Sequence, residues 1–247
     1  MTEPVCSPSS VSPGGTFSLL YRIAAFAALA TVVVTIVQIV LGVLWPPPDF
    51  TPTAAAAVDI LTMAQANPVL TFLRLDGLMV LDYLLLVVVY LALYAALKRS
   101  NPSLMLLGTA LTLIAITLYL ATNPAATMLV LAGKYSASGA AGSGIVSAAQ
   151  AVLVNFQGTS YLVHYIVMGI AGMLVALAML RTDVFSRTTA LAGLTQGAMM
   201  LVPVTFGTIG LLFALGSLVP FIIWFVLISL RLFRMSAGDN NVVALPI

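Results

Sequence analysis

The 247-residue chain is 62% hydrophobic and only 6% charged, against about a quarter charged in an ordinary soluble domain, and its mean hydropathy is +1.15. A single water-soluble core of this length cannot hide so much apolar side chain, so lipid is expected to solvate much of the surface. Nine Lys and Arg against seven Asp and Glu leave a net charge of +2, too even a balance to recruit nucleic acid, and one cysteine excludes an intramolecular disulfide.

Residues 1–18, rich in Ser, Pro and Gly, read as a flexible cytoplasmic arm. Cys6 lies in it without a preceding apolar stretch, so it is not a lipoprotein signal; an inert thiol and a palmitoylated one both stay open. The apolar run from Leu19 to Trp45 is too long for a signal-peptide core and lacks a small-x-small exit, which predicts a retained first membrane helix ending at Pro46, Pro47 and Pro48. Thr53 to Ala66, Ala-rich with Val58, Ile60 and Leu61, reads as a short helix at the interface. Further spans are expected near residues 69–97, 103–122, 159–180, 188–206 and 211–233, each about the 20 residues that cross the hydrocarbon. Pro102 opens the third, Asn123-Pro124 closes it, and Gly207 with Gly210 marks a tight hairpin between the last two. The long connection, residues 123–158, holds an apolar piece from Ala125 to Ala132 and a helical piece from Ile145 to Phe156. It either caps the outer mouth of the bundle or re-enters the membrane. Residues 236–247 read as a second flexible cytoplasmic segment, leaving 19–235 as the transmembrane domain.

Arg22, Lys98, Arg99, Arg181, Arg187, Arg231 and Arg234 fall at the ends that six spans with both termini inside would place in the cytoplasm; Arg74 and Lys134 fall on the other side. The expected fold is thus an all-α polytopic bundle of six transmembrane helices, N-in and C-in, with short extracytoplasmic helices between the first and second spans and between the third and fourth. Its expected home is a bacterial cytoplasmic membrane.

Ionisable groups within spans are expensive and mark candidate sites. The second span carries Arg74 and Asp76 in its outer third and Asp82 near mid-membrane, and Asp76, Tyr83, Tyr90 and Tyr94 fall within about 40° of one another along one side. Arg74 either snorkels, pairs with a carboxylate or binds an anionic or carbonyl-bearing ligand. His164, the only histidine, shares a face of the fourth span with Gln157, Ser160, Tyr161, Met168 and Gly172. It is a packing residue, a titrating group, or a ligand for a metal, pigment or haem. A single histidine without a second ligand argues against a metal, and no motif implies a cofactor. With Gln38 on the first span and Asn123 and Asn155 at the outer rim, these residues predict a polar pocket open to the outside: Arg74, Asp76, Asp82, His164, Gln38 and Asn155. Gly193 and Gly197 form a GxxxG pair, Gly169, Gly172 and Ala176 thin one side of the fourth span, Pro203 and Pro220 are candidate kinks, and Trp224 is expected to pack or to line a cavity.

No phosphate-binding loop, dinucleotide fingerprint, zinc-protease or serine-hydrolase motif occurs, and neither an inverted repeat nor a pair of broken helices is visible. The stretches "ANPVLTFLRLDGLMVLDYLLL", "LATNPAATM", "VNFQGTSYLVHY", "MLRTDVFSRTTALAGL" and "IIWFVLISLRLFRM" resemble the bacterial six-helix membrane family termed domain of unknown function 4386, from about Tyr21 onward. The resemblance implies topology and no activity. Four readings follow: a non-enzymatic binder of a small molecule or lipid; an accessory or scaffold subunit meeting other membrane subunits or a second copy through its GxxxG and aromatic faces; a small transporter or channel using Asp82; and, with no catalytic constellation to name, an intramembrane enzyme last.

Overall fold

The computed structural model describes residues 17–138 and 142–238, so Cys6 and most of both terminal segments lie outside the described residues. In chain order the helices are α1 (Ser18–Leu44), α2 (Ala54–Ala66), α3 (Pro68–Arg74), α4 (Gly77–Leu97), α5 (Pro102–Thr122), α6 (Ala125–Ser138), α7 (Gly142–Phe156), α8 (Thr159–Leu180), α9 (Arg187–Met199) and α10 (Gly207–Ser236). Local chemistry starts several of them. The Thr53 side chain accepts the Ala56 N–H to open α2, Asn67 accepts the Leu70 N–H ahead of Pro68 to open α3, and Ser186 accepts the Thr189 N–H to open α9.

The long helices form a closed ring in which α1 packs on α4, α4 on α5, α5 on α8, α8 on α9, α9 on α10 and α10 back on α1. Small residues set the closest approaches. On α1, Ala24, Ala25 and Ala28 are fully buried, and the Ser229 hydroxyl of α10 reaches the Ala25 carbonyl at 2.8 Å. A Cβ added to Gly197 on α9 would lie 2.7 Å from the Gly169 carbonyl oxygen on α8, and one on Gly169 would lie 2.8 Å from that of Gly197. The GxxxG face predicted as a site for partner helices is thus taken up inside the chain. A second, separate core joins α2, α3, α6 and α7 through Ile60, Leu61, Leu75, Met128, Ala149 and Leu153. The segment between α5 and α8 therefore packs on α2.

Five helical runs among the described residues are long and apolar enough to cross a bilayer: Ser18–Leu44, Gly77–Leu97, Pro102–Tyr135, Gly142–Leu180 and Gly207–Ser236. The chain is a helical membrane bundle, and two expected spans differ from the prediction. The helix expected over 69–97 is broken: α3 stops at Arg74 and α4 starts at Gly77, with Asp76 in the left-handed region at φ 58°. The helix expected over 188–206 stops after 13 residues, about 20 Å of rise. Pro203 bars helical backbone just before it, so the chain turns through a short 3₁₀ segment, Val204–Phe206, into α10 at Gly207, whose φ of 67° suits glycine.

Gly197→Val should lower the thermal unfolding temperature in detergent by the equivalent of about 2 kcal/mol or more, because backbone faces the new methyls. Gly42→Ala, with nothing within 4 Å of the added carbon, should leave it unchanged or slightly raised. Equal effects would contradict the α8–α9 packing.

Candidate functional site

The ring is not filled along its whole length. A cavity of about 570 Å³ lies among α1, α4, α8, α9 and α10, within the roughly 300–1,000 Å³ typical of small-molecule sites. Along α4 its wall runs from Asp76 through Asp82 and Tyr83 to Tyr90, about 21 Å of helix.

The outer layer is built on the break before α4. Gln38 Nε2 of α1 donates to Asp76 Oδ1 at 3.1 Å, and Asn123 Nδ2, just after α5, donates to the Asp76 backbone carbonyl at 3.2 Å. Asn123 also reaches the Tyr119 hydroxyl at 3.3 Å. Arg74 points elsewhere: Nε and Nη2 donate to the Pro46 carbonyl at 2.9 and 2.6 Å, and Nη1 reaches the Met63 sulfur at 3.0 Å. The loop presenting Pro46 is itself ordered by Asp49, whose carboxyl accepts the Thr51 N–H and hydroxyl and is held below its ordinary range by those bonds. Arg74 thus closes the end of α1 at the mouth of the cavity and leaves both nearby acids without it.

The middle layer is aromatic. Tyr83 and Tyr119 stack at 3.9 Å with 11° between their planes, and Tyr161 packs 5.3 Å from the His164 ring. The Tyr83 hydroxyl meets His164 Nε2 at 2.6 Å, while His164 Nδ1 lies 3.2 Å from the Tyr161 carbonyl. A carbonyl only accepts, so Nδ1 carries hydrogen, and in the neutral ring Nε2 accepts the Tyr83 O–H. Both ring nitrogens of His164 are thus engaged within the protein. Among the described residues no three His, Cys, Asp or Glu side chains gather as metal ligands.

The inner layer is the unsatisfied one. Asp82 is 3% exposed with the buried Thr31 hydroxyl of α1 beside its carboxyl, yet its Oδ1 makes no hydrogen bond of good geometry; Trp224 Nε1 and, in the layer above, Gln38 Oε1 also lack partners. Trp224 Nε1 would lie 2.8 Å from a Cβ on Gly193, so that glycine makes room for the indole. Gln196, buried on α9, donates to the Met200 sulfur at 2.7 Å, a weak acceptor.

Of the residues singled out in the sequence, Arg74, Asp76, Asp82, His164 and Gln38 all line this one cavity, and so do Tyr161, Met168 and Trp224. Asn155 does not join them: it is exposed on α7, with Nδ2 3.5 Å from the Ala121 carbonyl. Gln157, predicted on the His164 face, is also exposed and outside the lining. Sequence reading missed Tyr119, Thr35, Gln196 and Trp45. A signal existed for two of them: Tyr119 lies one turn before Asn123, and Gln196 is the only amide in α9. No family model, no curated protein and no solved structure matches the chain.

Two substitutions should move stability in opposite directions in detergent. Tyr83→Phe leaves His164 Nε2 buried without a donor and should destabilise by about 1–3 kcal/mol. Asp82→Leu removes an unpartnered buried carboxyl and should stabilise by about 2 kcal/mol, since only a ligand would benefit from keeping it. Earlier melting of Asp82→Leu would instead make Asp82 a structural residue.

Proposed function

We propose that this is a non-enzymatic membrane protein that binds a small molecule or lipid in an outward-facing polar pocket. The observation that carries the reading is the cavity in which Arg74, Asp76, Asp82, His164 and Gln38 converge around polar atoms that lack partners. Polar groups are buried unsatisfied at appreciable free-energy cost, and a ligand supplying the missing bonds is the simplest way to retain them.

The topology is six crossings with both termini in the cytoplasm of a bacterial inner membrane, in keeping with the resemblance to the six-helix family. Two features support it. Tyr83 near the start of α4 pairs with His164 near the start of α8, and Ser229 near the end of α10 meets Ala25 near the start of α1. Hence α4, α8 and α10 run the same way, and α9 with the turn after it returns the chain between the last two. The seven cations named above then share one face, where the Lys98 ammonium lies 5.2 Å over the Phe17 ring. A small transporter is the second reading, favoured by Asp82 and by the helix broken beside the cavity.

Mass spectrometry of extracts from protein purified in mild detergent should find one molecule retained by the wild type and lost from a Gln38→Leu, Asp82→Leu variant. Identical extracts would contradict the pocket. In a Cys6→Ser background, an impermeant maleimide should label Ser143→Cys on intact cells and Ser100→Cys only after permeabilisation; the reverse pattern would invert the topology.

A further inference from the structure

The cavity has a side door. After Thr35, no residue of α1 up to its end at Leu44 is buried, and α10 between Gly207 and Val219 buries only Gly210 and Ser217. The two helices pack closely at their other ends, where Ser229 meets Ala25 and the Phe26 and Phe233 rings lie 4.9 Å apart. Pro220 sits where α10 changes from packed to splayed, and it lacks the N–H that would bond the Gly216 carbonyl. Between the splayed halves, Ile39, Val43 and Leu215 line the cavity and are also exposed, and a side chain at Gly42 would meet nothing within 4 Å. This opening is lined by apolar side chains and lies between two helices long and apolar enough to cross a bilayer.

What lies behind it is acidic and aromatic. Asp82 holds an unpartnered carboxyl oxygen, and Asp76 lies about 9 Å further out along the chain. The cation among the lining residues, Arg74, donates through Nε, Nη1 and Nη2 to Pro46 and Met63 at the mouth, and both ring nitrogens of His164 are engaged by Tyr83 and the Tyr161 carbonyl. An anionic head at the depth of Asp82 would meet a carboxyl group, whereas the Arg74 guanidinium sits eight residues away in sequence at the mouth, donating to Pro46 and Met63. A cationic head would meet Asp82 in a lining that also holds the aromatic side chains of Tyr83, Tyr90 and Trp224, residue types that stabilise ammonium groups.

The geometry points to a cationic amphiphile as the ligand, an amine or quaternary ammonium on an apolar chain, entering from the bilayer between α1 and α10 with its head at Asp82. This assignment rests on the pocket reading and adds to it the charge and the route. It departs from one of the three roles the sequence left open for Arg74, that of holding an anionic or carbonyl-bearing ligand.

Both tryptophans of the chain, Trp45 and Trp224, line the cavity, which supplies an optical readout. In Trp45→Phe protein reconstituted in phosphatidylcholine nanodiscs, the remaining emission comes from Trp224, 1% exposed and shielded from lipid chains. An ω-bromo-undecyl trimethylammonium probe should quench it saturably, and the chain-matched ω-bromo-undecanoate should be at least about tenfold weaker. Asp82→Asn, which keeps the side-chain shape, should weaken the ammonium by about tenfold or more. Gly42→Phe should slow or abolish quenching. Comparable quenching by both probes, or indifference to Asp82→Asn, would overturn the charge assignment and leave the pocket standing. Saturable quenching unaffected by Gly42→Phe would overturn the entry route. No saturable quenching by either probe would overturn the pocket reading itself.

Discussion

Asp76 sits where a membrane helix is broken, and most of the candidate site depends on how that break is held. Its backbone is left-handed, a conformation that Asp tolerates better than bulkier residues. Two amides distant in sequence fix it there, Gln38 of α1 on the carboxyl and Asn123, just after α5, on the carbonyl. The break has a directional consequence. It turns α3 away to join the outer cluster with α2 and α6, carrying Arg74 to the Pro46 carbonyl, while α4 continues inward with Asp82, Tyr83 and Tyr90. Two residues of separation in sequence thus become two different jobs, one at the mouth and one in the depth.

Behind the break, polar groups of the outer layers are satisfied except for Gln38 Oε1, and those of the inner layer include two that are left open. Asp76, Tyr83, Tyr119 and His164 all find partners; Asp82 Oδ1 and Trp224 Nε1 do not. A bilayer provides no water at that depth to make up the difference, so the asymmetry is a physical pointer to where something else is expected to bind. The wall that lets it in is a matter of packing. Alanines and Ser229 bring α1 and α10 together at one end, and Pro220 marks the loss of that contact toward the other.

Hydropathy and proline placement made the membrane bundle legible, down to the ends of α1, α5 and α8, because lipid imposes one simple rule on long helices. The shared location of Arg74, Asp76, Asp82, His164 and Gln38 was legible for the same reason: polar side chains in spans turn toward protein. Their partners were not. The Asp76-Gly77 dipeptide after Arg74 is a local turn signal, but its weight depends on Gln38 and Asn123, which hold the left-handed Asp76 and are distant in sequence. Gly193 and Gly197 were readable as a close-packing face but not as an internal one, because which helix fills such a face depends on ring order. α9 fell short because a window of mean polarity cannot weigh one proline against the residues before it. Asn155 lies outside the cavity because it sits on an exposed face of α7, where its amide reaches the Ala121 carbonyl at the end of α5.

The most direct measurement is a cryo-electron microscopy map of the protein in lipid nanodiscs, inspected between the outer halves of α1 and α10. Elongated non-protein density running from the lipid between these helices to Asp82 is the result predicted here. Helices α1 and α10 in contact along their full length, with side chains covering Asp82, would contradict it.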